Sequence, residues 1–302
     1  MTSPLTLAEQ LKKEHESLSP AERRVSRVLI ADYPVAGLEP VHRLAERANV
    51  SAPTVLRLIS KLGIGSYPQM QKLLRQEISA RTSSPLEMYG ERSATASSEL
   101  QSGIKFVADS KRVLMEGLEA TFSAIPETEI LEIVKLMANP RNRIWTVGGR
   151  FSDLLAQYLN THLRLLRKDV NHVRPIEQEK AFALLDFTSR DVLIAFDYRR
   201  YQGGTVSFLK KAKQKKATTV LFTDPWLSPA AKHADYLLSS SVTAPSPFDS
   251  LTSGFALVET VIAGVVEELG DGPTQRIQAF DSLQEATLQI PGFGPGDDTE
   301  TT

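Results

Sequence analysis

Two groups of residues in this chain of 302 have types and spacings that could carry chemistry. The first is Ser51, Pro53, Thr54, Arg57 and Lys61. An arginine can pair bidentately with the edge of guanine, and a threonine can meet a base edge or a thymine methyl. Lys61, one turn further on, suits phosphate, a contact that positions a protein on a duplex without specifying sequence. Tyr67, Lys72 and Arg75 follow closely enough to clamp flanking backbone. The second group is three loops: Gly148-Gly149-Arg150-Phe151-Ser152, Asp197-Tyr198-Arg199-Arg200-Tyr201-Gln202-Gly203-Gly204-Thr205, and Thr223-Asp224 with Ser228-Pro229 nearby. Glycines let backbone N–H groups approach a ligand, and a helix start favours negative charge. Such loops suit a small anionic metabolite; they are equally the tight turns that any α/β domain needs.

Other chemistries find less support. Sugar isomerisation needs a base beside the C1–C2 proton, and Glu259, His162 and His172 are the candidates. A glutamate on a terminal helix is more often a surface charge. The five histidines (15, 42, 162, 172, 233) show no i, i+4 pair, so no metal site is expected. Without cysteine there is no disulfide scaffold, thiolate zinc site or cysteine nucleophile, which fits a reducing cytoplasm. Gly148-Gly149 lacks the spacing of a dinucleotide fingerprint and no phosphate-binding P-loop run exists, so no cofactor is expected. Trp145 and Trp226 read as core or pocket wall.

The elements that must position these residues follow from periodicity. Val41, Leu44, Ala45 and Ala48 fall on one helical face. Asn49 breaks that helix, because asparagine tolerates the left-handed conformation of a sharp turn. Ser51 is a suitable N-cap, and Pro53 is tolerated in a first helical turn. In the next helix Val55, Leu58, Ile59 and Leu62 form one stripe, Thr54, Arg57 and Lys61 another, and Gly63 ends it. This is the pattern of a helix-turn-helix, which would offer Thr54 and Arg57 outward to a major groove. A preceding helix with Ala21, Val25, Val28 and Leu29 on one face would complete a three-helix core. The bland alternative is a helical bundle with a solvated basic face.

Charge supports the first reading. The chain carries a net charge of −1, yet residues 20–81 hold ten Lys or Arg against five Asp or Glu. Phosphate neutralisation needs such a local excess. Hydrophobic residues make up 41% and charged residues 24%, ordinary for a globular chain of about two domains. No secretory signal or membrane span is visible.

Residues 1–82 read as helical. Residues 83–126 read as a linker (83–98, rich in Ser, Thr and Ala) followed by a coupling helix over 99–125. From 127 to 270, apolar strand candidates at 144–147, 170–173, 192–196, 218–222 and 236–238 alternate with helices at 151–167, 205–215 and 252–269. Continuously apolar strands separated by helices imply a parallel sheet covered on both faces, with ligand loops at the strands' carboxyl ends. Residues 271–302 read as a partly disordered tail.

The runs Leu18-Ser19-Pro20-Ala21-Glu22-Arg23-Arg24, Leu44 to Leu58, Lys61-Leu62-Gly63 and Gly65-Ser66-Tyr67-Pro68 resemble the N-terminal domain of the RpiR (MurR/RpiR) family of bacterial transcription regulators. That family joins this domain to a C-terminal SIS (sugar isomerase) domain, a character that residues 127–270 share. The resemblance implies an all-α helix-turn-helix domain joined to a three-layer α/β domain with a five-stranded parallel sheet. It also implies phosphosugar binding through serine- and threonine-rich loops. By position, Gly148 and Ser152 match the first loop, Gly203 and Thr205 the second, and Ser228-Pro229 with Ala234-Asp235 the later part. Arg150-Phe151 and Gln202 depart from the pattern, Asp197 stands where a serine is common, and Arg199-Arg200-Tyr201 add length. An acid at 197 would repel phosphate unless an arginine offsets it.

The expected protein is a cytoplasmic, homodimeric or homotetrameric regulator. It would bind double-stranded operator DNA and sense a sugar phosphate or sugar acid, without membrane contact. Its effector residues would come from Gly148, Gly149, Arg150, Ser152, Asp197, Arg199, Arg200, Tyr201, Gln202, Gly203, Thr205, Thr223 and Ser228. An isomerase with an appended helical domain is the alternative.

Overall fold

A computed structural model describes residues 5–82, 86, 87, 89 and 103–288. The linker expected at 83–98 falls, but for three residues, outside that range. The N-terminal unit is helical: α1 (Leu7–Lys13), a 3-10 turn (His15–Ser17), α2 (Pro20–Ala31), α3 (Val35–Leu38), α4 (Val41–Arg47), α5 (Ala52–Lys61) and α6 (Tyr67–Thr82). Two of these helices start on reciprocal caps. In α2 the Ser19 hydroxyl accepts from the Glu22 N–H, while the Glu22 carboxylate accepts from the Ser19 N–H at 2.8 Å. Thr6 and Glu9 do the same for α1. Each box satisfies two donors that a helix start otherwise leaves unpaired.

The helix α7 runs Gly103–Ala124, and α8 (Glu127–Ala138) leads into the α/β unit. There follow β1 (Arg143–Gly148), α9 (Asp153–Leu166), β2 (Val170–Val173), α10 (Glu177–Asp186), β3 (Asp191–Asp197) and α11 (Gly203–Gln214). The chain continues with β4 (Thr218–Thr223), a 3-10 turn (Pro229–His233), β5 (Tyr236–Ser239), α12 (Thr252–Leu269) and α13 (Thr274–Leu288). All pairings are parallel, in the order β2-β1-β3-β4-β5. The expected strands are present within a residue or so, and α10 is an element the periodicity did not show.

The tail expected at 271–302 holds a helix over part of its length. Residues 274–288 form α13, which the Arg276 guanidinium ties to α9 through the Arg164 carbonyl at 2.8 Å.

Successive strand residues face opposite sides. Val192, Ile194 and Phe196 of β3 pack with α8, α9 and α12, whereas Leu193 and Ala195 face α10 and α11. The second face is continuous with the core of the helical unit, so helices and sheet share one apolar cluster. Buried Lys12 seals the junction: its ammonium donates to the Leu237 carbonyl and lies 3.8 Å from Glu129. No helix among the described residues is long and apolar enough to cross a membrane.

Candidate functional site

The helix-turn-helix forms as the spacing implies. Leu44, Val55, Leu58 and Ile59 are buried between α4 and α5. Asn49 takes φ of 51°, the left-handed turn its side chain tolerates. Gly63 at φ 75° lets the Ile64 N–H return to the Ile59 carbonyl at 3.1 Å and stops α5. The exposed side of α5 carries Ser51, Pro53, Leu56, Arg57, Ser60 and Lys61.

Three expectations change here. Thr54 does not face outward: it is 7% exposed, its Oγ1 pairs with Ser51 Oγ at 3.0 Å, and Arg57 donates to it at 3.3 Å. It lies one position before Val55 at the start of the apolar stripe, and the first turn rotates it inward. Ser51 occupies the N-cap position but its hydroxyl bonds Thr54 rather than a backbone N–H. Tyr67 is buried and donates to the Glu39 carbonyl at 2.7 Å, so it braces α6 against the end of α3. Lys61 is exposed but donates to the Ser17 carbonyl and lies 3.8 Å from Glu22. Lys72 and Arg75 are exposed on α6. Leu56, 44% exposed beside Arg57, is an apolar group on this face that polarity patterns pass over.

In the α/β unit the three expected loops converge at the carboxyl ends of β1, β3 and β4. Gly148 is required by close packing: a Cβ there would lie 2.3 Å from the Asp153 Cα. Ser152 Oγ accepts from the Gly149 N–H at 2.8 Å and donates to the Phe196 carbonyl at 2.7 Å, tying the first loop to β3. Gln202 closes over Gly149, whose added Cβ would lie 3.2 Å from its Nε2. Asp197, 1% exposed, is held by the Gln202 N–H at 3.2 Å and the Ser228 hydroxyl. Thr223 donates to the Asp197 carbonyl at 2.7 Å. Burial pushes the Asp197 carboxyl up to about 6 against these two hydrogen bonds.

The neighbouring Asp224, in the third loop but outside the expected effector residues, is central to this cluster. It is fully buried, accepts from the Tyr201 hydroxyl at 2.7 Å and the Trp226 N–H at 3.0 Å, and its Oδ2 has no partner among the described residues. Burial pushes it up to about 7. Arg81, from the last turn of α6, lies 4.5 Å above the Tyr201 ring, so the last helix of the N-terminal unit touches the second loop. Arg199 is paired with Asp249, and Lys180 donates to Glu177 at 2.9 Å. Thr205 is fully buried with its hydroxyl unpartnered. Arg150, Arg200 and Gly203 are exposed at the rim. Arg200 and Leu227 adopt φ of 68° and 55°, sparsely populated for such residues, in the loops after β3 and β4.

Glu259 lies elsewhere, exposed on α12 and hydrogen-bonded by Tyr158 at 3.1 Å. His162 packs edge-on against Tyr158. His172 sits between Thr146 (3.1 Å) and Asp153 (3.3 Å). The three proposed bases therefore surround no common point at the strand ends. Among the described residues no group of three or more histidines or carboxylates could hold a metal ion. Trp145 is packed against Phe187, and Trp226 lines a cavity of about 390 Å³ between α1, α6, α7 and the ends of β4 and β5.

Comparison with known proteins gives this geometry a lineage. Residues 5–81 match the helix-turn-helix domain of the rpiR family, and residues 136–264 match the SIS domain. An uncharacterized HTH-type transcriptional regulator of Thermotoga maritima is 26% identical over 296 residues, 95% of this chain and 98% of its own. The NanR protein of Vibrio vulnificus, solved in complex with ManNAc-6P, superposes with a TM-score of 0.53 at 16% identity, covering 94% of this chain and 100% of that one. The sugar isomerase domain of an RpiR transcription factor from Sphaerobacter thermophilus gives 0.52 at 22% identity, over 60% of this chain and 97% of its own. With an rpiR-type helix-turn-helix followed by a SIS domain, the chain belongs to the RpiR family of transcriptional regulators.

Proposed function

We propose that the chain reads operator DNA through α5 and senses a small sugar-type metabolite at the strand-end loops of its α/β unit. The carrying observation is the exposed face of α5, where Arg57 stands beside Leu56 behind the sharp turn at Asn49. A recognition helix enters a groove with its N-terminal end, and Ser51 and Pro53 occupy that end here. The Thermotoga relative, named a transcriptional regulator, supports this reading along nearly the full chain. The ManNAc-6P bound by NanR supports a carbohydrate derivative as effector. Two-fold operators are read by paired heads, so the working form is a homodimer or homotetramer, acting in the cytoplasm where the DNA is. An effector acts by binding two arrangements of the heads unequally.

The chain works without turnover in this reading, since Glu259 stands on an outer helix face away from the loops. Selection of duplexes from a random pool by the full-length protein tests the proposal. A recurring, two-fold-related sequence is expected; recovery of unenriched pools at physiological salt would overturn it.

A further inference from the structure

Helix α7 carries apolar side chains on two opposite faces, and only one of them is packed against the rest of the chain. On the inner face Gly117, Thr121 and Ala124 are buried where α7 meets α12. A Cβ at Gly117 would lie 3.3 Å from Ser253 Oγ. Thr121 donates to the Gly117 carbonyl at 2.8 Å and accepts from the Ser241 N–H at 2.9 Å, which fixes the rotation of the helix about its axis. With about 100° of turn per residue, the opposite face is centred on Ala108, Met115 and Phe122, which recur every seven residues. All three are exposed, Met115 at 56% and Phe122 at 45%, with half-buried Leu118 beside them. A surface helix ordinarily turns polar residues outward, and an outward seam with a seven-residue repeat suits a second helix.

Charge says which helix. Lys111 and Arg112 lie on the first half of the seam and Glu119 on the second. Within its own helix Arg112 reaches Asp109 at 3.7 Å and Glu116 at 3.3 Å, and Glu119 accepts from the Ser123 hydroxyl at 3.2 Å. A seam that is basic first and acidic second is complementary to itself when run antiparallel. About a two-fold axis near Met115 and Glu116, Arg112 comes level with Glu119 of the second copy, on the same side of the seam, and symmetry repeats the pair. Met115 then packs against Leu118 of the second copy, and bulky Phe122 falls level with small Ala108.

We propose that the exposed face of α7 is the interface between two copies of this chain, packed antiparallel about that axis. A two-fold interface must be self-complementary, and this seam meets the condition in both charge and size. The inference deepens the paired-head reading above by giving the pairing a surface.

The test is analytical ultracentrifugation of the full-length protein. The wild-type protein is expected to associate at micromolar concentration. Met115→Glu, at an exposed position, is expected to raise the dissociation constant about tenfold or more with an unchanged circular dichroism spectrum. Arg112→Glu and Glu119→Arg are each expected to weaken association, and the two together to restore it. Because the chain has no cysteine, Met115→Cys supplies a single thiol that should cross-link two copies under mild oxidation, whereas Leu185→Cys on α10 should not. An assembly indifferent to Met115→Glu, or cross-linked through Leu185→Cys and not through Met115→Cys, overturns this interface and leaves the paired-head reading standing. A wild-type chain that stays monomeric overturns both.

Discussion

At the residue scale, Arg57 and Thr54 divide the work that the sequence assigned to both. Arg57 is exposed and reaches Thr54 only across the helix surface, so a groove can recruit its guanidinium. Arg57→Ala should cost about 1–3 kcal/mol of duplex affinity and relax preference at one base position, measured by fluorescence anisotropy on single-base variants. Thr54→Val should behave differently, lowering stability by about 1 kcal/mol through the lost buried hydrogen bond while preserving base preference. Equal loss of preference in both variants would contradict this division. The buried carboxylate Asp224 makes a third case. Its folded-state pKa of about 7 lies above the ordinary value of 3.8, so the ionised form is penalised on folding. Stability from this group is complete below about pH 4 and is lost as pH rises through 7. Asp224→Asn, which retains the acceptor for Tyr201 and removes the buried charge, should therefore stabilise the protein at pH 8. The gain should be about 2 kcal/mol or more and shrink toward pH 4, as read by denaturant titration at the two pH values.

At the element scale, the turn between α4 and α5 sets the angle at which the reading face is presented. Asn49 at φ 51° is the residue that makes it. A β-branched replacement there, Asn49→Val, should cost about 1–2 kcal/mol of stability and weaken duplex binding, whereas Asn49→Gly should preserve both. Circular dichroism melts and anisotropy check this pair. This turn was legible in the sequence because it rests on local backbone chemistry: asparagine before a serine at the N-cap position, then proline, then an apolar stripe. The strands were legible for a similar reason, as short β-branched runs buried on both faces. α10 was not, because Phe182 and Leu185 are exposed and its apolar pattern follows no single buried face. α13 was missed because glycine and proline in residues 291–296 masked the helical run before them. At the loops, the glycines and Ser152 could be read as strand-end turns, but not the Tyr201–Asp224 pair under Arg81. Those residues stand 120 or more positions from Arg81, and no local pattern records such a meeting.

At the scale of the whole molecule, the helical unit and the α/β unit are joined by a shared core, by Lys12 with Glu129 and the Leu237 carbonyl, and by Arg81 over Tyr201. Burial lowers the tendency of Lys12 to hold its proton, and Glu129 opposes that loss. Removing a buried charge leaves its partner uncompensated, so Lys12→Ala should cost about 2 kcal/mol or more. Calorimetry should then resolve two transitions, reader and sensor, where the parent shows one. Such a junction gives a ligand at the strand ends a physical route to the DNA-reading helix: displacing Tyr201 disturbs the last turn of α6, which follows α5 directly. The most direct measurement of the central claim is the affinity of the full-length protein for its selected duplex across a series of salt concentrations, alongside Arg57→Ala. The account predicts that log affinity falls linearly with log salt, as phosphate neutralisation requires, and that the variant binds more weakly and discriminates less. An affinity indifferent to salt, with wild type and variant alike, would contradict it.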